Sequence, residues 1–353
     1  MSEDTGRERI VTPHPRGQDT DEQVSVRPQT LDEYDVGQKE TIQQLRIAIA
    51  AAKQRGDVLE HVLFDGPPGL GKTTLAHIIA NEMEVEIHRT SGPALERPGD
   101  LVGMLTNLKR GDVFFIDEIH RLPRVVEEFL YPAMEDFCID FVVDSGPYAK
   151  TIPLNLEPFS LVGATTRSGL LTAPLRERFG IFQHLDFYTE EQLEKIVTRA
   201  AGIWQIDVQP GGAKELARRS RGTARIVNRL LRRVRDYAQI MADGIITREL
   251  AAEALAAMQV DEMGLDELDR KYLRAIIDIY SGGPVGLNAI AATLSQDDGT
   301  LEDVVEPYLL KLGFILRTSR GRQAGRRAYE HLGIDKEPPP PPTTSQATLG
   351  LDV

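Results

Sequence analysis

Short apolar runs alternate with stretches of helical period along most of the chain. Within residues 25–185 the runs His61–Phe64, Val113–Ile116 and Phe159–Val162 read as buried strands with helix-forming segments between them. Such an order predicts an α/β fold: a parallel sheet covered on both faces. Residues 186–258 change character. EEQLEKIVTRAA and ARIVNRLLRRVRDYAQIM keep a helical spacing, with Leu230, Val234 and Tyr237 on one face, and predict a small helical domain. Residues 259–334 hold three short helical patterns (Leu268–Ile279, Leu287–Leu294, Leu301–Leu312), then a strand-like Gly313-Phe314-Ile315-Leu316 and a basic loop from Arg317 to Arg327. That succession predicts a winged helix. Residues 138–154 alternate apolar and polar positions around Asp144-Ser145-Gly146-Pro147, the signature of an inserted β-hairpin. Its Ile139, Phe141 and Val143 either pad the core or form an exposed apolar stripe. Residues 1–24 and 335–353 have no period; the first carries Pro13, Pro15 and Gly17, the second Pro338 to Pro342, and both predict disordered tails.

Composition narrows the class. A chain of 353 residues, 41% hydrophobic and 27% charged, is long enough for two or three domains with cores and is not disordered throughout. No apolar run approaches the ~18 residues a membrane span needs, and the N-terminus has no apolar signal region. Cys138 is the single cysteine, so an intrachain disulfide or a cysteine-rich metal site is excluded and a reducing cytoplasm is expected. The net charge of −13 argues against non-specific nucleic-acid binding by the chain as a whole. The local sign differs. Lys214 to Arg235 carry nine Lys/Arg against one acid, and Lys311 to Arg327 carry six against none.

Gly66-Pro67-Pro68-Gly69-Leu70-Gly71-Lys72-Thr73 fits GxxxxGK[ST], with a strand before it and a helix from Thr74 after it. Glycines let backbone N–H groups wrap a phosphate, and the helix N-terminus adds positive potential. Lys72 would reach the β- and γ-phosphates, and the Thr73 hydroxyl would ligate Mg²⁺. Val113 to Ile116 then deliver Asp117 and Glu118 to the sheet's C-terminal edge. There Asp117 would hold Mg²⁺ through water and Glu118 would polarise an attacking water, the base that separates a hydrolase from a nucleotide switch. His120 reads as a polar residue at the strand end. A third strand ends in Thr165-Thr166-Arg167, where a hydroxyl would sense the γ-phosphate. Pro174 to Gly180 place Arg176 and Arg178 beside a Phe-Gly stop, where an arginine would stabilise transition-state charge in its own subunit or the next.

GPPGLGKTT, FFIDEIHRL, VGATTR, PLRERFG and RGTARIVNRLLRRVRD, in this order, resemble the AAA+ ATPases. With VGQ near the start and GGPVGL…EPYLLKLGFILRTSRGR near the end, the resemblance runs from about Arg27 to Gly333 and is to the RuvB family of Holliday-junction branch-migration motors. The resemblance implies a hexameric ring around duplex DNA with ATP and Mg²⁺ between subunits. It implies that Gly69, Gly71, Lys72, Thr73 and Thr74 form the phosphate loop, with Asp117 and Glu118 the metal and water pair. Thr166 stands at the sensor position, Thr165 being the alternative. Arg178 matches the finger that enters the adjacent subunit's site, with Arg176 second. Arg225 matches a second sensor in the lid, and Val26, Arg27 and Tyr188 lie where the family packs around adenosine. Arg317, Arg320 and Arg322 are the candidate DNA phosphate contacts, Arg317 and Arg322 being favoured by the resemblance. Arg218, Arg219, Arg229 and Arg232 read as solvated helix faces or contacts between subunits. The partners implied are RuvA, docking on the hairpin 138–154, and RuvC in the resolving complex.

Two other readings use the same motifs: a clamp loader or protein-remodelling ring, and a nucleotide-gated winged-helix transcription regulator. A basic winged helix argues against the first. Glu118 beside Asp117 argues against the second, since a switch needs no water-activating base.

Overall fold

The computed structural model describes residues 26–34, 36–143 and 150–336, apart from the side chains of 141–143 and 150–152. They fall into two compact units that divide between Ala254 and Leu255. The expected N-terminal tail, nearly all of the C-terminal one and the hairpin turn at 144–149 lie outside the described residues.

The first unit is built on seven strands: β1 (Val62–Asp65), β2 (Ile87–Ser91), β3 (Val113–Asp117), β4 (Cys138–Val143), β5 (Lys150–Asn155), β6 (Ser160–Thr165) and β7 (Ile181–His184). Five of them form one parallel sheet in the order β2-β3-β6-β1-β7. Its inner strands β1, β3 and β6 are the apolar runs that the sequence marks as buried, because each is covered on both faces. The outermost strands β2 and β7, IHRTS and IFQH, carry alternating polar residues, which is why the apolar pattern did not reveal them. Register brings the polar strand ends level: Asp65 lies opposite Thr165, and Ser91 opposite Asp117.

Helices α1 (Lys39–Arg55), α2 (Lys72–Met83), α3 (Pro98–Leu105), α4 (Arg124–Glu135) and the short α5 (Ala173–Glu177) belong to the sheet-bearing part. Among the described residues, Leu63, Phe114, Ile116, Phe159 and Leu161 centre its core. The helical part follows with α6 (Glu190–Trp204), α7 (Pro210–Arg218) and α8 (Ala224–Met241). Thr189 and Thr223 cap the first and last of these through their hydroxyls.

Two expectations are corrected here. Ile139 on β4 is fully buried in the core cluster, so it pads the core instead of adding to an exposed stripe; the side chains of Phe141 and Val143 lie outside the described residues. Arg219, Arg229 and Arg232 are buried within the protomer, not solvated. The Glu215 carboxylate accepts from both Arg218 and Arg219, and the Arg232 guanidinium lies 5.6 Å from the centre of the Trp204 ring. Long arginine stems cover apolar surface while their heads meet partners, so an amphipathic pattern alone misplaces them.

The boundary between the units falls in α9 (Arg248–Ala257). Beyond it the second unit contains α10 (Glu267–Arg274), α11 (Leu287–Leu294), α12 (Glu306–Lys311), β8 (Ile315–Thr318), β9 (Gly321–Ala324) and α13 (Arg326–Leu332). Strands β8 and β9 pair antiparallel. The stretch 317–327, read from sequence as one basic loop, is therefore mostly a second strand and the start of a helix; Arg320 sits exposed at the turn. Tyr272, Leu273, Ile276, Leu309 and Phe314 lie in this unit's core.

The hairpin poses a charge problem. Arg317 and Arg322 are cross-strand partners, and like charges directly opposite one another repel. The fully buried carboxylate of Glu306, on α12, resolves it. It accepts from Arg317 at 2.6 and 3.0 Å, from Arg322 Nε at 2.7 Å and from the Tyr272 hydroxyl at 2.6 Å. Burial pushes the Glu306 pKa up, but the hydrogen bonds from Arg322, Tyr272 and Arg317 outweigh it and hold the group below its usual range. A carboxylate depressed in the folded state contributes stability above its unfolded pKa of about 4.3 and loses it as pH falls through the lower folded value. Replacing it strands two guanidiniums, one largely buried. Glu306→Gln is expected to destabilise the unit by about 3 kcal/mol at neutral pH. In urea titrations the gap to the unaltered protein should narrow below about pH 4.

Candidate active site

The polar strand ends meet the helix that follows β1. Gly66, Gly69 and Gly71 have positive φ values of 141°, 84° and 109°, which turn the loop's backbone N–H groups inward before α2 begins at Lys72. Gly71 also admits close packing: a Cβ there would lie 2.6 Å from the Tyr34 hydroxyl. Lys72 is buried, and its ammonium donates to the carbonyls of Gly66 (2.5 Å) and Pro67 (2.9 Å). Burial pushes its pKa down to about 8, with Asp117 pulling the other way.

Glu118 follows β3 with φ 49°, a left-handed backbone unusual for a residue with a side chain. Gly92, after β2, makes that conformation possible, since a Cβ at 92 would lie 2.4 Å from the Glu118 carbonyl oxygen. The Glu118 carboxylate pairs with Arg121 at 2.8 Å. On the next strand the two threonines separate. Thr165 is buried, its hydroxyl 2.9 Å from His120 Nδ1 and accepting from the Arg167 N–H, whereas Thr166 faces the cavity.

One cavity of about 330 Å³ gathers these groups. Gly69, Gly71, Lys72, Thr73 and Thr74 line it from the loop and α2. Asp117, Glu118 and Thr166 line it from the sheet edge, and Val26, Arg27, Tyr188 and Arg225 from the other side. Thr73 and Asp117 offer a hydroxyl and a carboxylate to the same space, a donor set of hard oxygens that suits Mg²⁺. Arg178 is not among the lining residues. It ends α5, stacked over the Tyr131 ring at 4.5 Å and paired with Glu135 at 3.1 Å, while Arg176 is exposed.

Among the lining residues, Glu33, Tyr34 and Arg199 escaped the sequence reading. The hydroxyls of Tyr34 and Tyr188 both donate to the Leu70 carbonyl, at 3.0 and 2.9 Å. Burial pushes both phenols up, Tyr188 to about 12. Arg199, on α6, donates to the Val26 carbonyl at 2.7 Å and to Glu33 at 3.0 Å. Helical spacing puts Arg199 on the face of Ile196, another lining residue, but its partners lie more than 160 positions away and no local signal points to them.

Comparison with known proteins agrees with this arrangement. The family model of the Holliday junction DNA helicase RuvB P-loop domain matches residues 26–185, that of the RuvB AAA lid domain 188–261, and that of the RuvB C-terminal winged helix domain 262–333. The chain belongs to the RuvB family. The Holliday junction branch migration complex subunit RuvB of Desulfosudis oleivorans is 60% identical over 325 residues, 92% of this chain and 94% of that one. That of Chloroflexus aurantiacus is 57% identical over 327 residues, 93% of each. The solved Thermotoga maritima RuvB branch migration motor is 50% identical, with a TM-score of 0.82 over 89% of this chain and all of the other. An AAA+ P-loop domain, an AAA lid and a C-terminal winged helix are thus the RuvB architecture of this chain, and its P-loop domain is a nucleotide-binding one. Among the described residues no helix is long and apolar enough to cross a membrane.

The state of Lys72 makes affinity depend on pH. A nucleotide phosphate entering the loop would meet the protonated ammonium, and above about pH 8 the empty site loses that proton. Nucleotide affinity, measured by fluorescence titration, is expected to fall about tenfold between pH 7 and pH 9. Lys72→Arg, which stays charged, should abolish that dependence whatever its absolute affinity.

Proposed function

We propose that this chain is the ATP-driven motor of Holliday-junction branch migration, working as a hexameric ring on duplex DNA in recombination and repair. The observation that carries the reading is the convergence of Lys72, Thr73, Asp117 and Glu118 on one cavity. A phosphate cradle alone makes a switch; a second carboxylate beside the metal-binding one makes a hydrolase.

Adenosine packs against Val26, Arg27 and Tyr188, and the triphosphate enters the loop between Gly69 and Thr74. Lys72 then exchanges its carbonyl partners for phosphate oxygens. Thr73 and Asp117 hold Mg²⁺, which, when bound, neutralises charge on the phosphates. Glu118 orients water and takes its proton, Thr166 contacts the γ-phosphate, and Arg225 reads it from the lid. The Arg225 N–H donates to the Gly69 carbonyl at 3.3 Å, so the lid is tied to the loop it senses. Arg178 lies outside its own protomer's cavity and serves the neighbouring site. ATP therefore sits in a cleft completed by a second subunit, and hydrolysis loosens that joint.

The wing meets the backbone of DNA. Arg320 at the turn and the half-exposed Arg317 offer cations to phosphates, and Arg322, 17% exposed, presents an edge of its guanidinium. Such contacts ignore base sequence, as a translocase requires. RuvA, the junction-binding partner, docks on the hairpin 138–154; RuvC joins for resolution, and the work is done in the cytoplasm.

Glu118→Gln is expected to bind ATP normally and to lose between about 10² and 10⁴ in turnover, while Lys72→Ala loses binding. Arg178→Ala should leave ATP binding intact and abolish turnover at the adjoining subunit's site. The deciding assay is ATP-dependent branch migration of a synthetic four-way junction, with and without RuvA. Sequence-selective DNA binding with negligible hydrolysis would overturn the reading.

A further inference from the structure

Three side chains on α4 fall at positions i, i+4 and i+8: Glu127, Tyr131 and Glu135. That spacing puts them on one helix face. Together they touch both ends of the segment 172–178, Glu127 at Thr172 and the other two at Arg178. The buried Glu127 carboxylate accepts from the Tyr131 hydroxyl at 2.7 Å and from the Thr172 hydroxyl. Thr172 is the N-cap of α5, accepting from the Leu175 N–H. The Tyr131 ring lies under the Arg178 guanidinium, 4.5 Å from its centre, and Glu135 accepts from Arg178 Nη2 at 3.1 Å. Arg178 Nη1 donates to the Pro174 carbonyl at 2.7 Å.

Helix α5 has five residues, too few to hold its own shape. An arginine at its end would otherwise sample many rotamers, and ordering it on each catalytic cycle would cost conformational entropy. Here both ends are fixed by one rigid helix. Tyr131 and Glu135 leave the Arg178 side chain 22% exposed in the protomer.

We infer that the Glu127–Tyr131–Glu135 face of α4 is the platform that pre-positions the Arg178 finger for the neighbouring subunit's γ-phosphate. Tyr131 and Glu135 are positioning residues acting through Arg178. When phosphate arrives, the half-exposed Glu135 gives up its ion pair, while the ring keeps the guanidinium plane in place. The inference rests on the reading of Arg178 given above.

Because the finger works in trans, positioning can be told from a structural role by complementation. Tyr131→Leu removes the ring; ATPase turnover of the assembled ring should fall about tenfold with KM for ATP unchanged. Tyr131→Phe keeps the ring and should stay within about twofold. Glu135→Gln, at an exposed position, should lower kcat about threefold at constant KM. Tyr131→Leu subunits keep their own cavity intact, whereas Glu118→Gln subunits keep an intact finger. Mixing the two should give more turnover than the sum of the separate variants. Arg178→Ala mixed with Glu118→Gln is the control: failure there overturns the finger assignment itself. If that control complements, the platform is overturned by a Tyr131→Leu variant that turns over normally, raises KM or does not complement. Should Tyr131→Leu not assemble, an unchanged kcat for Glu135→Gln overturns it alone.

Discussion

Lys72 carries its ammonium in a buried position where the nearest hydrogen-bond acceptors are backbone carbonyls of its own loop. Taking that charge from water is costly, and the downward shift of its pKa registers the cost. Only an anion entering the loop can satisfy it fully, and much of the first unit is arranged to keep the loop in shape until one does. The level ends of β1, β3 and β6 supply Asp117 close enough to keep Lys72 protonated at neutral pH. Glycines 66, 69 and 71 take backbone conformations that L side chains rarely adopt, which a repacked loop would forfeit.

The same loop is held from outside by groups distant in sequence. Tyr34 and Tyr188 share the Leu70 carbonyl, and the Arg225 N–H, in the first turn of the lid helix α8, reaches the Gly69 carbonyl. Tyr188 sits at the entry to the lid, its own N–H bonded to the Gly222 carbonyl. Residues 69–70 are therefore tied to the lid by two hydrogen bonds, from the Arg225 N–H and from the Tyr188 hydroxyl. Loop and lid are thus joined directly, a link that converting phosphate chemistry into motion requires.

How much was legible in the sequence follows from the range over which each signal acts. Phosphate loop, acidic strand end and central strands were readable because motif and fold lie in contiguous residues: Gly66 to Thr73, Val113 to Glu118. Strands β2 and β7 were not, since strands at the sheet's ends need no continuous apolar run. The second strand of the wing hid among arginines whose charge suggested a loop, and its stabiliser, Glu306, lies in a helix that looks merely amphipathic. Arg199 and Glu33 line the cavity through a contact between segments far apart, which composition cannot announce. The buried arginines of the lid are the same lesson in reverse: Glu215 turns two apparent surface charges into an ion-paired cluster.

Charge compensation of this kind also sets what the wing can offer a phosphate backbone. Two guanidiniums facing one buried carboxylate, with Glu302 a further 3.4 to 3.6 Å from them, carry little net charge as a group. Their contribution to counterion release is then smaller than two free arginines would make, while their orientation is fixed far better. A motor that steps along a duplex gains from that trade. Each subunit must let go within one cycle, and a deep electrostatic well at every phosphate would slow release more than it sped binding. On the reading proposed above, Arg320, exposed at the turn, would supply attraction at the tip, and the Glu306 group geometry behind it. An overall charge of −13 would work in the same direction, since net negative charge disfavours a polyanion away from clusters of basic side chains.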